Sequence, residues 1–114
     1  MKINKKKVSD IIALFLKEKK IRHVFGIIGS ANANIFYSIS KLNYTEIVCV
    51  HHEQAATMAM QNYYRTTGKI SAAIVTAGGA SSNAITGVIS AWADSIPGII
   101  ISGQENLRFI KSYK

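Results

Sequence analysis

Four short apolar runs, separated by segments with helical periodicity, limit the folds open to this sequence. The runs do not alternate polar with apolar residues, so each predicts a strand buried on both faces. They are His23 to Ile28, Ile47 to Val50, Ala72 to Val75 and the run GIIIS after Pro97. Buried strands that alternate with helical segments predict a parallel sheet joined by crossover helices.

Helical patterns fill the intervening segments. They run from Ser9 to near Lys20, from about Ala31 to Lys41, from about Glu53 to Thr66, and from Asn83 to Ala93. Ser9 is a suitable N-cap, and Gly68 is placed to end the third helix. With 114 residues and 48% hydrophobic content, the chain is expected to form one compact domain. We predict an α/β fold: three-layer α/β/α with a mainly parallel sheet of about four strands.

Charge and cysteine content narrow the classes of partner and compartment. The net charge is +8, but eight of the fourteen basic residues fall within the first 22 positions, a pattern more typical of a solvated helix face than of a nucleic-acid site. No uncharged apolar stretch reaches the length of a membrane span. The lone Cys49 lies in an apolar run, which predicts a buried thiol in a reducing compartment. We therefore expect a cytoplasmic protein that binds neither nucleic acid nor membrane.

Three predicted strands end in distinctive residues. These are Ile28-Gly29-Ser30, His52-Glu53 and Thr76 to Gly79. Carboxyl ends of parallel strands lie at one edge of the sheet, so the three loops are expected to meet there. The Gly78-Gly79 loop opens onto a helical pattern, a geometry that can receive phosphate on backbone N–H groups. Glycines that only make a turn have the same appearance.

Glu53 is the leading candidate for chemistry. It is the only acid between Glu46 and Asp94, and it opens a helix whose next residues are small and apolar. The helix dipole alone favours a carboxylate at such a position. Contact with an apolar surface would raise its pKa by desolvation, which suits a group that shares a proton.

His51 and His52 precede this glutamate. Adjacent residues at a strand end point in opposed directions, and no third ligand stands at metal-binding spacing. We therefore predict no metal site, and we expect each histidine to be hydrogen-bonded or partly buried.

Four stretches, in order and at matching intervals, resemble the N-terminal pyrimidine-binding domain of thiamine diphosphate-dependent enzymes, most closely the acetolactate synthase-like group. They are VFGIIG, VHHEQAATMAMQNYYRTTGK, VTAGGASSNAITGV and ADSIPGIIISGQ, and the resemblance begins at about Val8. It implies an incomplete thiamine diphosphate-binding fold. Residues 1–114 would form a pyrimidine-binding domain truncated on its C-terminal side, without the family's separate diphosphate-binding domain.

The resemblance also implies roles for individual residues. Glu53 would be catalytic, because the family's glutamate at this position hydrogen-bonds N1′ of the cofactor's aminopyrimidine and favours its imino tautomer. The residues that would contact the cofactor are Ile28, Gly29, Glu53, Thr76, Gly79 and Asn83. His52 matches a histidine often found before the glutamate, and its role is open between packing and catalysis.

This sequence departs from the family pattern at several positions. Ile28 stands where proline is usual, Gly78-Gly79-Ala80 replaces a glycine-proline-glycine loop, and Gln61-Asn62 replaces a common aspartate-glycine pair. The family's GDG-type motif, which supplies the metal and diphosphate site from another domain, does not occur.

The resemblance implies the pyrimidine-binding half of a 2-keto acid decarboxylase or carboligase, inactive alone. The cofactor would be thiamine diphosphate, with Mg²⁺ held by a domain not in this chain. The expected partner is a second copy, as a dimer or higher homo-oligomer, or a diphosphate-binding domain or subunit. Two alternatives stay open: a separate pyrimidine-binding subunit of a two-chain decarboxylase, and a non-catalytic module that self-associates through the third and fourth helices, including Trp92.

Overall fold

A computed structural model describes residues 7–106. The elements in chain order are α1 Val8–Glu18, β1 His23–Gly26, α2 Ala33–Leu42, β2 Glu46–Cys49, α3 Glu53–Thr67, β3 Ala72–Val75, α4 Gly79–Ser82, α5 Ile85–Ala93 and β4 Ile99–Ser102. Every predicted strand and helix is present with small shifts of its ends. The single turn α4 is an additional element. Within residues 7–106, no helix combines the length and apolar character needed to cross a membrane.

The four strands form one parallel sheet in the order β2-β1-β3-β4. Hydrogen bonding continues past the strands, since the N–H of Val50 donates to the carbonyl of Gly26 (3.0 Å) and that of Gly103 to Val75 (2.9 Å). The carboxyl ends of β2, β1 and β3 are therefore neighbours at one edge. This confirms the predicted parallel sheet.

Each face of the sheet carries a separate apolar core. On one face, α1 and α2 contribute Leu16 and Ile39, which belong to a buried cluster with Ile74 of β3. On the other, Met60 of α3 packs with Ala73. Successive residues of β3 thus enter opposite cores, as the strand period of two requires. This arrangement confirms the predicted three layers.

The two ends of α1 differ from the prediction. The helix begins at Val8 with Lys7 as its N-cap, so Ser9 is not a cap. Ser9 is buried, and its hydroxyl lies 2.9 Å from the hydroxyl of Ser38 in α2. It therefore joins two helices instead of closing one. At the other end the helix stops at Glu18, and Lys20 follows with a φ of 58°.

Gly68 ends α3 in the way that the sequence predicted. Gly68 adopts a left-handed backbone with φ 67°, and its N–H donates to the carbonyl of Tyr64 (2.8 Å). Glycine meets this requirement at little cost because it has no Cβ. The helix runs to Thr67, one residue past the predicted end.

The expectation of a buried Cys49 was wrong. Its thiol was expected to be buried, but Cys49 is exposed within this chain. The cause is the position of β2 at the edge of the sheet, where Glu46 and Cys49 at its two ends are both exposed. An apolar run shows that a segment favours a strand, whereas the strand order decides how well it is covered.

The outer side of α5 is apolar and uncovered. Gly87 and Ala91 are the buried residues of this helix, and it packs on α3. On its opposite side, Ile89 is 62% exposed and Trp92 is 87% exposed, with Ile85 and Val88 exposed beside them. We call these four side chains the α5 apolar face.

Candidate functional site

The three loops predicted to meet do so at the carboxyl edge of the sheet. A Cβ built on Gly29 would lie 2.5 Å from Oγ1 of Thr76, so the first and third loops are in direct contact. The side-chain amide of Asn83, which directly follows α4, donates to Oε2 of Glu53 at 3.0 Å, and this bond joins the segment after the third loop to the start of α3. Clustering of the loops is therefore confirmed.

Glu53 is the first residue of α3 and is only 7% exposed. Strand β2 ends at Cys49, and the chain turns into the helix at His52, whose backbone is extended. At a helix N-terminus the unpaired N–H groups favour a negative charge. The local sequence thus places a carboxylate where the backbone stabilises its ionised form.

The pKa of Glu53 is lowered from its ordinary value of 4.5. The main cause is the hydrogen bond from Asn83, followed by that from its own backbone N–H, and the nearby His52 adds a smaller effect in the same direction. Burial acts in the opposite direction and is outweighed. The predicted rise in pKa was wrong for this chain, because the deciding donor lies thirty residues away in sequence.

His52 is the N-cap of α3. Its Nδ1 accepts a hydrogen bond from the backbone N–H of Gln54 (3.2 Å), while the side chain as a whole is exposed. This confirms the expectation of a hydrogen-bonded histidine for His52. His51 is exposed beside it, with no side-chain hydrogen bond within residues 7–106, so the same expectation was wrong for His51. Among the residues that the structure describes, no three His, Cys, Asp or Glu side chains come together as metal ligands would.

The glycine loop leads into the single turn α4. Gly78 has φ 72°, a conformation that favours glycine, and serves as the N-cap of this turn. The carbonyl of Thr76 accepts a hydrogen bond from the hydroxyl of Ser81, which anchors the turn to the end of β3. No atom outside its immediate neighbours lies within 4 Å of a Cβ built on Gly79, so its backbone faces open space. Because α4 has only four residues, its dipole gives little support to the phosphate hypothesis.

The first loop depends on Asn32, which the sequence interpretation missed. Asn32 is fully buried, and its side chain accepts from the N–H of Gly29 (2.7 Å) and donates to the carbonyl of Ile27 (3.0 Å). These bonds hold Gly29 against Thr76 and leave Ile28 at the surface, 55% exposed. An asparagine three residues after a loop glycine is a turn signal that could have indicated this role.

Gln61 connects α3 to α5 behind the site. It is buried, its amide nitrogen donates to the carbonyl of Gly87 (2.8 Å), and its oxygen accepts from the hydroxyl of Ser90 (3.1 Å). Gly87 approaches Thr57 so closely that an added Cβ would lie 1.9 Å from the threonine hydroxyl. These contacts set how α5, and with it the preceding Asn83, lies relative to Glu53.

The arrangement of Glu53 and Asn83 can bind a ring N–H group and share its proton. An ionised, largely shielded carboxylate accepts a hydrogen bond strongly from a ring N–H, and it can share or receive that proton. Asn83 occupies one carboxylate oxygen and orients the group. The open backbone at Gly79 allows a planar ring to approach closely. This acceptor suits a protonated ring nitrogen, as in a nitrogen heterocycle such as an aminopyrimidine.

Comparison with known proteins identifies the family of this chain. The family model described as "Thiamine pyrophosphate enzyme, N-terminal TPP binding domain" matches residues 6–113. The acetolactate synthase large subunit of Haemophilus influenzae is 41% identical over 96 residues, which is 84% of this chain and 17% of that protein. The isozyme 3 large subunit of Escherichia coli is 34% identical over the same shares.

A relative from a eukaryote shows the same pattern. The mitochondrial acetolactate synthase of Schizosaccharomyces pombe is 36% identical over 95 residues, 83% of this chain and 14% of that protein. The chain thus spans about one sixth of the length of these relatives. It belongs to the thiamine pyrophosphate enzyme family, and it corresponds to the N-terminal cofactor-binding domain of acetolactate synthase-like enzymes.

Proposed function

We propose that this chain is the pyrimidine-binding half of a thiamine diphosphate-dependent 2-keto acid decarboxylase or carboligase. The observation that carries the proposal is the hydrogen bond of Asn83 to the shielded carboxylate of Glu53. That contact prepares one acceptor, in a fixed orientation, at the start of α3. The similarity to acetolactate synthase large subunits supports the class of reaction.

In this proposal Glu53 is the catalytic residue. Its carboxylate accepts a hydrogen bond from the protonated ring nitrogen N1′ of the aminopyrimidine and holds the proton there. The side-chain amide of Asn83 orients the carboxylate of Glu53 and stabilises its ionised form. When bound, the cofactor supplies a thiazolium carbon that adds to the keto carbonyl and accepts the electrons of decarboxylation.

The remaining proposed contacts come from the first and third loops. Thr76 and Gly79 would face the pyrimidine from the end of β3, and Gly29 lies against Thr76. The exposed side chain of Ile28 would cover the ring from the first loop. His52 caps α3 on the same edge, so its proposed contribution is to hold Glu53 at the first helical position.

We propose that residues 1–114 form only the pyrimidine-binding domain and are inactive alone. Mg²⁺ and the diphosphate would then be held by a separate domain, supplied by the same protein or by a partner subunit. Thiamine diphosphate carries most of its charge on the diphosphate, so the pyrimidine contacts alone would bind it weakly. We also propose a cytoplasmic location, since Cys49 is the only cysteine and has no internal partner.

The α5 apolar face supports an oligomer. Trp92 and Ile89 are largely exposed, and contiguous apolar surfaces of this kind usually mark an interface. We propose that this face contacts a second copy, giving a dimer or higher homo-oligomer. The same face also supports the alternative of a non-catalytic, self-associating module. A separate pyrimidine-binding subunit of a two-chain decarboxylase would use it to meet its partner.

Calorimetric titration with thiamine diphosphate and Mg²⁺ tests the proposal. For the isolated chain we expect weak binding, with a dissociation constant on the order of 1 mM or higher. Glu53→Gln keeps the size of the side chain and removes its negative charge, so it should abolish the remaining heat. Asp94→Asn is the matched control, because Asp94 is paired with Arg65 away from the site.

Two results would contradict the proposal. Binding that Glu53→Gln leaves unchanged would show that the cofactor does not use this carboxylate. Turnover of pyruvate by the purified chain at an ordinary enzymatic rate, about 1–1000 per second, would show that it is not a half-site.

A further inference from the structure

A cavity lies at the opposite end of the sheet from the candidate site. It has a volume of about 720 Å³, and its lining includes Ile21 before β1, Tyr44 before β2, Ile70 before β3 and Ile99 at the start of β4. All four positions mark the amino ends of strands. The candidate site lies at the carboxyl ends, about 10 Å further along strands of this length. This cavity is therefore separate from the proposed cofactor site.

The lining of the cavity combines an apolar floor with a cationic rim. Ile21 is buried, and Phe15 and Ile70, which also line the cavity, are each 41% exposed. Lys19, Lys20, Arg22 and Lys69 complete the lining. Within residues 7–106, no acidic residue lines the cavity and none of these four cations forms an ion pair. The net charge of +8 is thus concentrated partly around one apolar cavity.

Two of the cations are held in place by aromatic rings. The guanidinium carbon of Arg22 lies 4.6 Å from the centre of the Tyr44 ring, and Nζ of Lys19 lies 5.9 Å from that of Phe15. Nζ of Lys17 also lies 5.9 Å from the centre of the Tyr44 ring. Cation–π contacts of this length restrict long side chains without neutralising them. The charges are therefore available to an anionic group.

The backbone that forms the rim has an unusual residue at one position. The N–H of Lys20 donates to the carbonyl of Lys17 (2.9 Å), and that of Ile21 donates to Leu16 (2.8 Å), which is a Schellman ending of α1. In this motif the residue with positive φ is usually glycine, yet Lys20 adopts φ 58°. Lysine is less stable than glycine in this backbone conformation, but it adds a cation to the cavity rim.

We propose that this cavity binds a small organic anion with an apolar body, such as a medium-chain carboxylate. The volume falls in the range of small-molecule sites, which is roughly 300–1000 Å³. Ile21, Ile70 and Ile99 would contact the apolar body, and the cations of the rim would contact the anionic group. This proposal does not depend on the proposed function of the carboxyl-end site.

Amide chemical shifts of the full chain, measured while octanoate is added, test the proposal. Octan-1-ol and octyltrimethylammonium are matched probes that keep the chain length but are neutral or cationic. We expect octanoate to shift the amides of Ile21, Arg22 and Ile70, with weaker shifts from the alcohol and none from the cation. Equal binding of all three probes, or shifts confined to the α5 apolar face, would overturn the proposal.

Charge variants sharpen the test. Lys20→Gly and Lys69→Gln should each raise the octanoate dissociation constant roughly fivefold, the effect of one unit charge at about 4 Å in water. Lys41→Gln, an exposed lysine of α2 outside the cavity, is the matched control and should have no effect. Because glycine suits φ 58°, Lys20→Gly should keep or raise the melting temperature, so weaker binding cannot come from unfolding. Unchanged affinity in both charge variants would also overturn the proposal.

Discussion

At the residue scale, the pairing of Glu53 with Asn83 makes a prediction about ionisation. Asn83→Ala removes the donor that contributes most to the lowered pKa, so the pKa of Glu53 should rise toward or above 4.5. A titration of the side-chain carboxyl carbon by NMR measures this directly. Asn62→Ala, an exposed asparagine of α3, is the control and should leave the pKa unchanged. No rise in the Asn83 variant would show that the hydrogen bond does not stabilise the charge.

The same pair predicts how stability depends on pH. Because the folded pKa of Glu53 lies below its unfolded value near 4.5, ionisation contributes stability that is fully present above that value. This contribution is lost as pH falls through the lower, folded pKa. The stability advantage of the wild type over Glu53→Gln should therefore shrink on going from about pH 7 to about pH 3. Urea unfolding at both pH values measures the difference, and a constant difference would contradict the assignment.

Gly29 makes a steric prediction. A Cβ at this position would lie 2.5 Å from Oγ1 and 2.7 Å from Cβ of Thr76, so Gly29→Ala should destabilise the fold by about 1–3 kcal/mol. The control is Gly79→Ala, where a new Cβ meets no atom within 4 Å and the backbone is helical. That change should stay within about 0.5 kcal/mol. Equal effects of the two changes in urea unfolding would show that the first and third loops are not in tight contact.

At the element scale, the packing of α5 on α3 depends on the absence of a side chain at Gly87. Gly87→Ala would place a Cβ 1.9 Å from Oγ1 of the fully buried Thr57, forcing the helices apart at a cost of about 1–3 kcal/mol. Since Asn83 precedes α5, the pKa of Glu53 should rise in this variant as well. Thr86→Ala, which changes the exposed neighbour of Gly87, is the control and should change neither the stability nor the pKa of Glu53. Loss of stability without a change in pKa would separate the helix contact from the site.

The elements themselves were largely predictable, and their exceptions have physical causes. The bounds of β3 agree with the prediction because its run of four buried residues is flanked by polar residues, Ser71 and Thr76. The fourth predicted helix was expected to begin at Asn83, whereas α5 begins at Ile85 and residues Gly79–Ser82 form a separate turn. Residues 79–84 are all small, so periodicity alone could not show where the turn ends and the next helix begins.

At the scale of the whole molecule, the α5 apolar face predicts self-association. Trp92→Asp would place a charge at the most exposed residue of this face and should shift the chain toward monomer in sedimentation velocity. Tyr37→Asp is the control, since Tyr37 is 65% exposed on α2, which lies in the opposite layer, and should not change the oligomeric state. A wild-type chain that stays monomeric at all concentrations would contradict the proposed interface.

The sequence by itself determined the class of fold and the grouping of the candidate residues. Its buried strands, spaced by helical segments, require a parallel sheet, and a parallel sheet brings the loops around Gly29, Glu53 and Thr76 to one edge. The family followed from the same segments, because their order and spacing are preserved. These features depend on local residue patterns and on chain direction, and the sequence contains both.

Only the tertiary structure decided which groups face one another. The pKa of Glu53 depends on Asn83, and the exposure of Cys49 depends on the edge position of β2. The cationic cavity depends on residues that meet at the amino ends of four different strands. Hydrogen bonds act over about 3 Å, and burial depends on every neighbouring layer. Both depend on residues far apart in sequence, so neither could be assigned before the strand order and helix packing were known.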